Sequence, residues 1–223
     1  MKIAIRGGHN PQAPGAKALI NELTEDRKVK DAVIKYLRLA GHEVLDVTPG
    51  NCDTNTDLKR GVSAANDADA DFFASIHFNK AYDSYEGPIG TECWTIGPGH
   101  ASNVAKRIVD ELASLGFKNR GVKHKGFYEL RHTRMSAVIV EVCFVESKGD
   151  VELYNKAGID KIGKKIAEGI IGAEIVEKIP GEGIIYRVKV DGKQIGAYSK
   201  PENVIKQLNN NWGKIEKIEI EKR

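Results

Sequence analysis

The stretch DFFASIHF at residues 71–78 is apolar almost throughout and carries one histidine close to its end. A short apolar run bounded by polar segments predicts a β-strand that is buried on both faces. The segment that follows, residues 79–90, is rich in Gly, Pro, Asp and Ser, which is typical of a loop. The fold prediction starts from this buried strand.

Strands and helices alternate along the chain on both sides of this run. Further strands are predicted at residues 2–7, 42–47, 91–96 and 137–142, with a short one at 127–130. Helices are predicted from residue 22 to the glycine at 41, and at residues 58–66, 101–115 and 159–171. This alternation predicts an α/β fold, with a twisted, mostly parallel or mixed sheet flanked by helices on both faces. Active sites of such folds lie in the loops that follow the strand carboxyl ends.

The pattern changes near the stretch PGEG at residues 180–183. Beyond it the sequence predicts a hairpin around Asp191-Gly192, then a helix and a third strand. We therefore predict a body at 1–178, a linker at 179–183 and a small ββαβ module at 184–223. The module holds nine Lys/Arg and five Asp/Glu, a net charge of +4. That charge fits either a solvated face or attraction to a polyanionic surface.

The composition excludes several classes of protein. The 223 residues are 41% hydrophobic and 29% charged, which indicates a folded globular chain rather than a disordered one. No apolar run approaches the roughly 20 residues of a membrane span, and a net charge of +3 is too small to indicate nucleic-acid binding. The first residues lack the apolar stretch of a signal peptide, so we expect either synthesis in the cytoplasm or a chain that is already mature. Three cysteines without a Cys-x-x-Cys pair predict neither a disulfide framework nor a cysteine-rich zinc site.

Two histidines stand at the ends of predicted strands. His9 follows two glycines, and His77 ends the buried strand, where Ser75 and Asn79 share its face. Two imidazoles and a carboxylate are a ligand set that catalytic zinc uses, with a fourth position left for water. Glu22 and Glu25, near the start of the long helix, are the two candidates for the carboxylate. Asn79 and Ser75 are expected to orient a ligand or to contact substrate.

Glu141 is a carboxylate inside the apolar run VIVEVCF at 138–144. A buried charge is costly unless it meets a partner, and burial raises the pKa of a glutamate, as a general acid–base needs. The structural alternative is an ion pair with Arg131 or Arg134. Cys143, two residues further on, is expected to share the face of Glu141, so a thiol hydrolase built from Cys143 and His77 is a further chemical alternative. A buried inert thiol is the simpler interpretation of Cys143.

These residues together resemble the type 3 N-acetylmuramoyl-L-alanine amidases, zinc enzymes of bacteria and their phages. The matching segments are Gly7-Gly8-His9, Glu22, SIHFN at 75–79, Gly90-Thr91-Glu92 and EVCF at 141–144, and the likeness spans roughly residues 1–175. The family commonly has a glycine or another small residue where Cys143 stands. The resemblance implies His9, Glu22 and His77 as zinc ligands and Glu141 as the catalytic glutamate.

The resemblance also implies a substrate and a setting. The substrate would be bacterial peptidoglycan, cut at the amide between N-acetylmuramic acid and L-alanine. The lack of a signal and the small C-terminal module resemble a phage or prophage endolysin, which would reach the cell wall after holin-dependent release. By analogy, the module would bind an anionic wall polymer. A zinc peptidase that cuts another peptidoglycan amide and a catalytically inactive wall-binding protein remain as alternatives.

Overall fold

The computed structural model describes residues 1–176, 186–198, 201–211 and 217–222. The chain divides into two compact units, Met1–Ile175 and Val176–Arg223. The predicted linker at 179–183 lies outside the described residues. No helix in the described ranges is long and apolar enough to cross a membrane.

The first unit is built on one six-stranded sheet. Its strands are Lys2–Gly7 (β1), Glu43–Asp46 (β2), Phe72–Asn79 (β3), Thr91–Thr95 (β4), Asn119–His124 (β5) and Ser136–Phe144 (β6). Their order in the sheet is β2-β1-β3-β6-β4-β5. Strands β2, β1, β3 and β6 are parallel to one another. Strand β4 runs antiparallel to β6, and β5 is parallel to β4. The predicted mixed sheet is confirmed, with the buried strand β3 near its centre.

Six helices cover the two faces of this sheet. They are Glu22–Leu39 (α1), Thr54–Asp67 (α2), His100–Ala113 (α3), Tyr128–His132 (α4), Lys148–Ala157 (α5) and Ile159–Ile171 (α6). Helices α1, α3 and α6 supply most of the helical residues of the larger core, and α2 and α4 contribute to a smaller core. Flanking on both faces is therefore also confirmed.

One predicted element is wrong, and two elements are not predicted. The segment 127–130 is predicted as a strand, but α4 begins at Tyr128; Leu130 enters the smaller core and Phe127 packs against it. The edge strand β5 escapes prediction because its sequence NRGVKH is polar and mostly accessible to solvent. Helix α5 escapes it because only three of its ten residues are buried, which leaves little apolar periodicity.

The two sheet faces differ in polarity toward the strand carboxyl ends. Alternate residues of β1, β3 and β6 enter the larger core and are apolar, among them Ile5, Ile76 and Val140. On the opposite face each strand starts apolar in the smaller core and then becomes polar. In β1 the change is from Ala4 to Arg6. In β3 it is from Phe73 to Ser75 and His77, and in β6 from Ala137 and Ile139 to Glu141. The polar ends meet because the three strands are parallel neighbours.

The second unit contains the predicted ββαβ elements. Strands Tyr186–Val190 (β7), Lys193–Tyr198 (β8) and Ile218–Lys222 (β9) form an antiparallel sheet of order β8-β7-β9, and helix Pro201–Asn211 (α7) precedes β9. The β7–β8 turn uses Asp191 at φ +49° and Gly192 at φ +80°. Glycine and aspartate favour this turn because they tolerate left-handed backbone better than most residues do.

Candidate active site

Glu22, the first residue of α1, lies between two histidines. Its Oε1 is 3.1 Å from His9 Nε2 and 3.2 Å from His77 Nδ1. The carboxylate is also held by the backbone, since Phe78 N–H donates to Oε1 (3.0 Å) and Ala16 N–H to Oε2 (2.7 Å). Burial alone would raise the pKa of Glu22, but hydrogen bonds and charge from the two histidines outweigh burial and hold this pKa well below its usual range. Glu22 is therefore a fixed, ionised group.

The backbone around His9 is shaped to admit this cluster. His9 itself adopts φ +56°, and its Nδ1 is 3.2 Å from the carbonyl oxygen of Ala13. A hydrogen bond from Nδ1–H to that carbonyl fixes the ring so that Nε2 is the nitrogen that faces Glu22. A Cβ at Gly8 would lie 2.2 Å from Cε1 of His77, and one at Gly15 would lie 2.4 Å from Glu22 Oε2. Glycine is needed at both positions because no side chain fits there.

The three side chains can serve as a cation site. One ligating atom from each of His9, Glu22 and His77 lies within 4.8 Å of the other two. The carboxylate is buried, and two imidazoles with one carboxylate suit a divalent transition metal. Glu25 points elsewhere, since it contacts Lys28 (2.8 Å) and the hydroxyl of Tyr154 (2.8 Å). Of the two carboxylates considered from the sequence, the structure brings only Glu22 to the histidines.

Ser75 and Asn79, predicted as supporting residues, have different partners. Ser75 Oγ is 2.9 Å from His77 Nε2, so it contacts the nitrogen that does not face Glu22. Asn79 Nδ2 donates to Glu92 Oε1 (3.1 Å). The other oxygen of Glu92 accepts hydrogen bonds from Arg120 and Lys123. Asn79 thus holds a buried carboxylate of β4 in place rather than a histidine.

Glu141 lies beside His77, because the two residues are paired in the register of β6 and β3. Its Oε2 is buried and has no hydrogen-bond partner among the described residues. Burial raises the pKa of Glu141 to about 7, with His77 opposing the rise and nearby carboxylates adding to it. In the part of the chain that the structure describes, neither Arg131 nor Arg134 forms an ion pair with it. An unpaired carboxylate of near-neutral pKa is suited to proton transfer.

Another buried carboxylate beside His77, Glu129 of α4, is not predicted from the sequence. Its Oε2 is 3.8 Å from His77 Nε2, and its Oε1 is 3.2 Å from Arg6 Nη1. Arg6 is itself buried and donates to Asp57 of α2 (2.5 Å). Burial alone would raise the pKa of Glu129, but Arg6 and His77 lower it to about 2. The available signal was Arg6, an arginine at an inward-facing position two residues after Ala4 in β1.

A pocket of about 260 Å³ opens beside these side chains. Its polar lining includes His9, His77 and Glu141, and its apolar lining includes Phe127 and Ile139. Cys143 does not reach it. The pairing of β3 with β6 shifts between His77 and Asn79, and Cys143 packs into the larger core instead of sharing the face of Glu141. Burial raises the pKa of this thiol well above its usual range, which makes it unsuited to act as a nucleophile.

Residues 3–172 match the model of a protein family described as N-acetylmuramoyl-L-alanine amidase. An uncharacterised protein of Clostridium perfringens is 56% identical over 186 residues, which are 82% of this chain and 55% of that protein. The N-acetylmuramoyl-L-alanine amidase LytC of Bacillus subtilis is 33% identical over 177 residues, or 76% of this chain and 34% of LytC. This chain therefore spans about half the length, or less, of these two relatives.

Among solved structures, the catalytic domain of the CD27L endolysin, described as targeting Clostridia difficile, superimposes with a TM-score of 0.71 at 25% identity. The match covers 79% of this chain and 99% of that domain. The family match extends from β1 through α6 and contains the two histidines, Glu22 and Glu141. On its sequence and its fold, this chain belongs to the N-acetylmuramoyl-L-alanine amidase family.

Proposed function

We propose that this chain is a zinc-dependent hydrolase of peptidoglycan that cleaves the amide bond between N-acetylmuramic acid and L-alanine. The observation that carries the proposal is the meeting of His9, Glu22 and His77 with an unpartnered carboxylate, Glu141, beside them. Membership of the amidase family supports the choice of bond.

The site residues differ in charge, and these differences suit them to different roles in hydrolysis. When bound, a zinc ion would lower the pKa of a water molecule and polarise the amide carbonyl. His9, Glu22 and His77 would hold it, since they are close together and one of them is a fixed anion. Glu141 takes a proton from the attacking water and gives it to the leaving amine of L-alanine. Its pKa of about 7 suits both transfers, whereas Glu129 stays ionised.

The pocket beside the site supports amide hydrolysis over the other chemistries. It has space for a substrate segment next to Glu141 and the histidines. The thiol alternative loses support because Cys143 is in the larger core. A zinc peptidase would use the same residues on another amide, so the products must distinguish the two.

The test is metal analysis combined with mass spectrometry of digested peptidoglycan. We expect about one zinc per chain, and soluble stem peptides that begin with a free L-alanine amine. Peptides cleaved at another amide would indicate the peptidase, and wall binding without turnover at saturating zinc would indicate the inactive alternative. A chelator should abolish activity, whereas iodoacetamide should leave it intact because Cys143 is buried.

The proposal also assigns roles to the whole chain. We propose that residues 1–178 carry the hydrolase and that 184–223 form a separate basic module, which binds an anionic wall polymer while the chain acts as an endolysin after holin-dependent release. The net charge of +4 in the module and the likeness to the CD27L catalytic domain support these roles. Sedimentation of the full chain with intact walls, compared with walls stripped of teichoic acid, tests the binding. Equal sedimentation with both would contradict it.

A further inference from the structure

We propose that Glu129 is a positioning residue that, together with Ser75, fixes the orientation and tautomer of His77, and so increases the affinity of the site for its cation. This inference rests on the proposed function, because it concerns the same metal site. It assigns a role to the buried ion-pair cluster of Arg6, Asp57 and Glu129, for which the hydrolytic mechanism has no use.

The two nitrogens of His77 face different partners. Nδ1 faces Glu22 at 3.2 Å, on the side where the cation ligands meet. Nε2 faces Ser75 Oγ at 2.9 Å and Glu129 Oε2 at 3.8 Å. Nδ1 can bind a cation only if its lone pair is free, which requires the proton of the neutral ring to be on Nε2. Acceptors beside Nε2 stabilise that tautomer.

Ser75 alone would not fix this proton, because a hydroxyl can donate as well as accept. Glu129 Oε2, 3.8 Å from Nε2 of His77, adds an acceptor that cannot donate, because this carboxylate is ion-paired with Arg6 and an ionised carboxylate carries no proton. Ser75 and Glu129 together therefore favour the proton on Nε2. A carboxylate behind a ligating histidine increases its basicity as well as its orientation.

Arg6 keeps Glu129 ionised and in place. Both side chains are almost fully buried, and their 3.2 Å contact lacks the angles of a hydrogen bond, so the attraction is mainly electrostatic. Asp57 holds Arg6 from the other side with a short hydrogen bond. One strand and two helices therefore meet at this cluster, since Arg6 lies in β1, Asp57 in α2 and Glu129 in α4. Burying three charged side chains costs desolvation free energy, and apolar residues of similar volume often stabilise the contact between such elements equally well.

The experiment measures cation affinity in the full chain by competition between the protein and a chelating indicator for Zn²⁺, with Co²⁺ absorption as a second probe. Glu129→Gln removes the fixed charge at nearly constant volume. Ser75→Ala removes the hydroxyl that contacts His77 Nε2 and changes no charge. Asp57→Asn is the matched control, because it disturbs the same buried cluster without contacting His77. Circular dichroism of the chelator-treated proteins reports whether each variant is folded.

We expect Glu129→Gln and Ser75→Ala each to weaken Zn²⁺ binding by about 10–100-fold and to alter the Co²⁺ spectrum. The double variant should be weaker than either single variant, since both acceptors beside His77 Nε2 are then lost. Asp57→Asn should stay within about threefold of the unmodified chain, even if it melts earlier.

Two results would overturn the inference alone, with the proposed function intact. One is a folded Glu129→Gln variant that binds Zn²⁺ as tightly as the unmodified chain. The other is a loss in Asp57→Asn equal to that in Glu129→Gln, which would indicate a purely structural cluster. If Glu129→Gln does not fold, the affinity of Ser75→Ala decides. Failure of the unmodified chain to bind Zn²⁺ would overturn the proposed function together with this inference.

Discussion

Replacing Glu141 by glutamine should abolish hydrolysis and at the same time stabilise the metal-free protein. Glutamine has nearly the same shape but cannot accept the proton of the attacking water. General acid–base groups contribute about 10²–10⁴-fold to rate. We therefore expect kcat to fall at least 100-fold, which corresponds to about 2.7 kcal/mol of transition-state stabilisation.

The gain in stability follows from the pKa of about 7, raised by burial from an ordinary value of 4.5. A group whose pKa is raised in the folded protein contributes most stability below its unfolded pKa, and this contribution is lost as the pH rises through the folded pKa. The full difference corresponds to at most about 3 kcal/mol at pH 8. Because part of the Glu141 side chain is accessible to solvent, we expect a gain of about 1–2 kcal/mol.

The assay has two parts. Release of L-alanine amines from peptidoglycan measures hydrolysis in the zinc-loaded protein, and urea unfolding at pH 8 and pH 5 with a chelator measures stability. The advantage of the glutamine variant should be larger at pH 8. In the zinc-loaded enzyme, activity should decline as the pH falls and Glu141 becomes protonated, with a midpoint below about 7 because the cation lowers the pKa of the neighbouring carboxyl. A fully active variant with zinc bound would refute the catalytic role, and an unchanged stability at pH 8 would refute the electrostatic reasoning.

Other changes test the ligands and the core. Glu22→Gln should lose stoichiometric zinc, measured by metal analysis after gel filtration, whereas Glu25→Gln should retain it; the reverse outcome would exchange their roles. Gly8→Ala should reduce hydrolysis by about 100-fold and weaken zinc binding, since its Cβ would fall 2.2 Å from the ring of His77 and displace it. Gly163→Ala in α6 would place a Cβ 2.4 Å from that of an α1 alanine, and we expect a net loss of roughly 1–2 kcal/mol in urea unfolding after about 1 kcal/mol of gained helix propensity. No loss of stability in this last variant would mean that the two helices separate without cost.

The sequence predicts those elements whose burial is continuous. β3 and β6 lie in the middle of the sheet, so both of their faces are buried and their apolar runs are easily recognised. β5 lies at the edge, and its polar residues carry no such pattern. The apolar segment that starts α4 is too short for its periodicity to distinguish a strand from one helical turn. These errors are local, and the predicted mixed sheet flanked by helices did not depend on them.

The candidate site also contains some residues that the sequence predicts and one, Glu129, that it does not. His9, His77 and Glu141 could be found because each interrupts an apolar or glycine-rich segment near a strand end. Choosing Glu22 over Glu25 needed the family resemblance, since both lie within the first turn of α1. Glu129 could not be found, because a glutamate in the sequence YELRH is typical of a solvated turn. Its burial depends on Arg6, 123 positions earlier in the chain, and only the folded structure brings the two together.

The division of the sheet into an apolar face and a face that turns polar has a practical consequence for protein engineering. Core residues on the face covered by α1, α3 and α6 determine stability, and polar residues on the opposite face determine turnover. The two groups alternate along each strand, but the sheet separates them in space. Substitutions can therefore be chosen for one property with little effect on the other. An insertion in β3 would change both properties, because a shift of the strand by one residue would place His77 in the apolar core and Ile76 in the pocket.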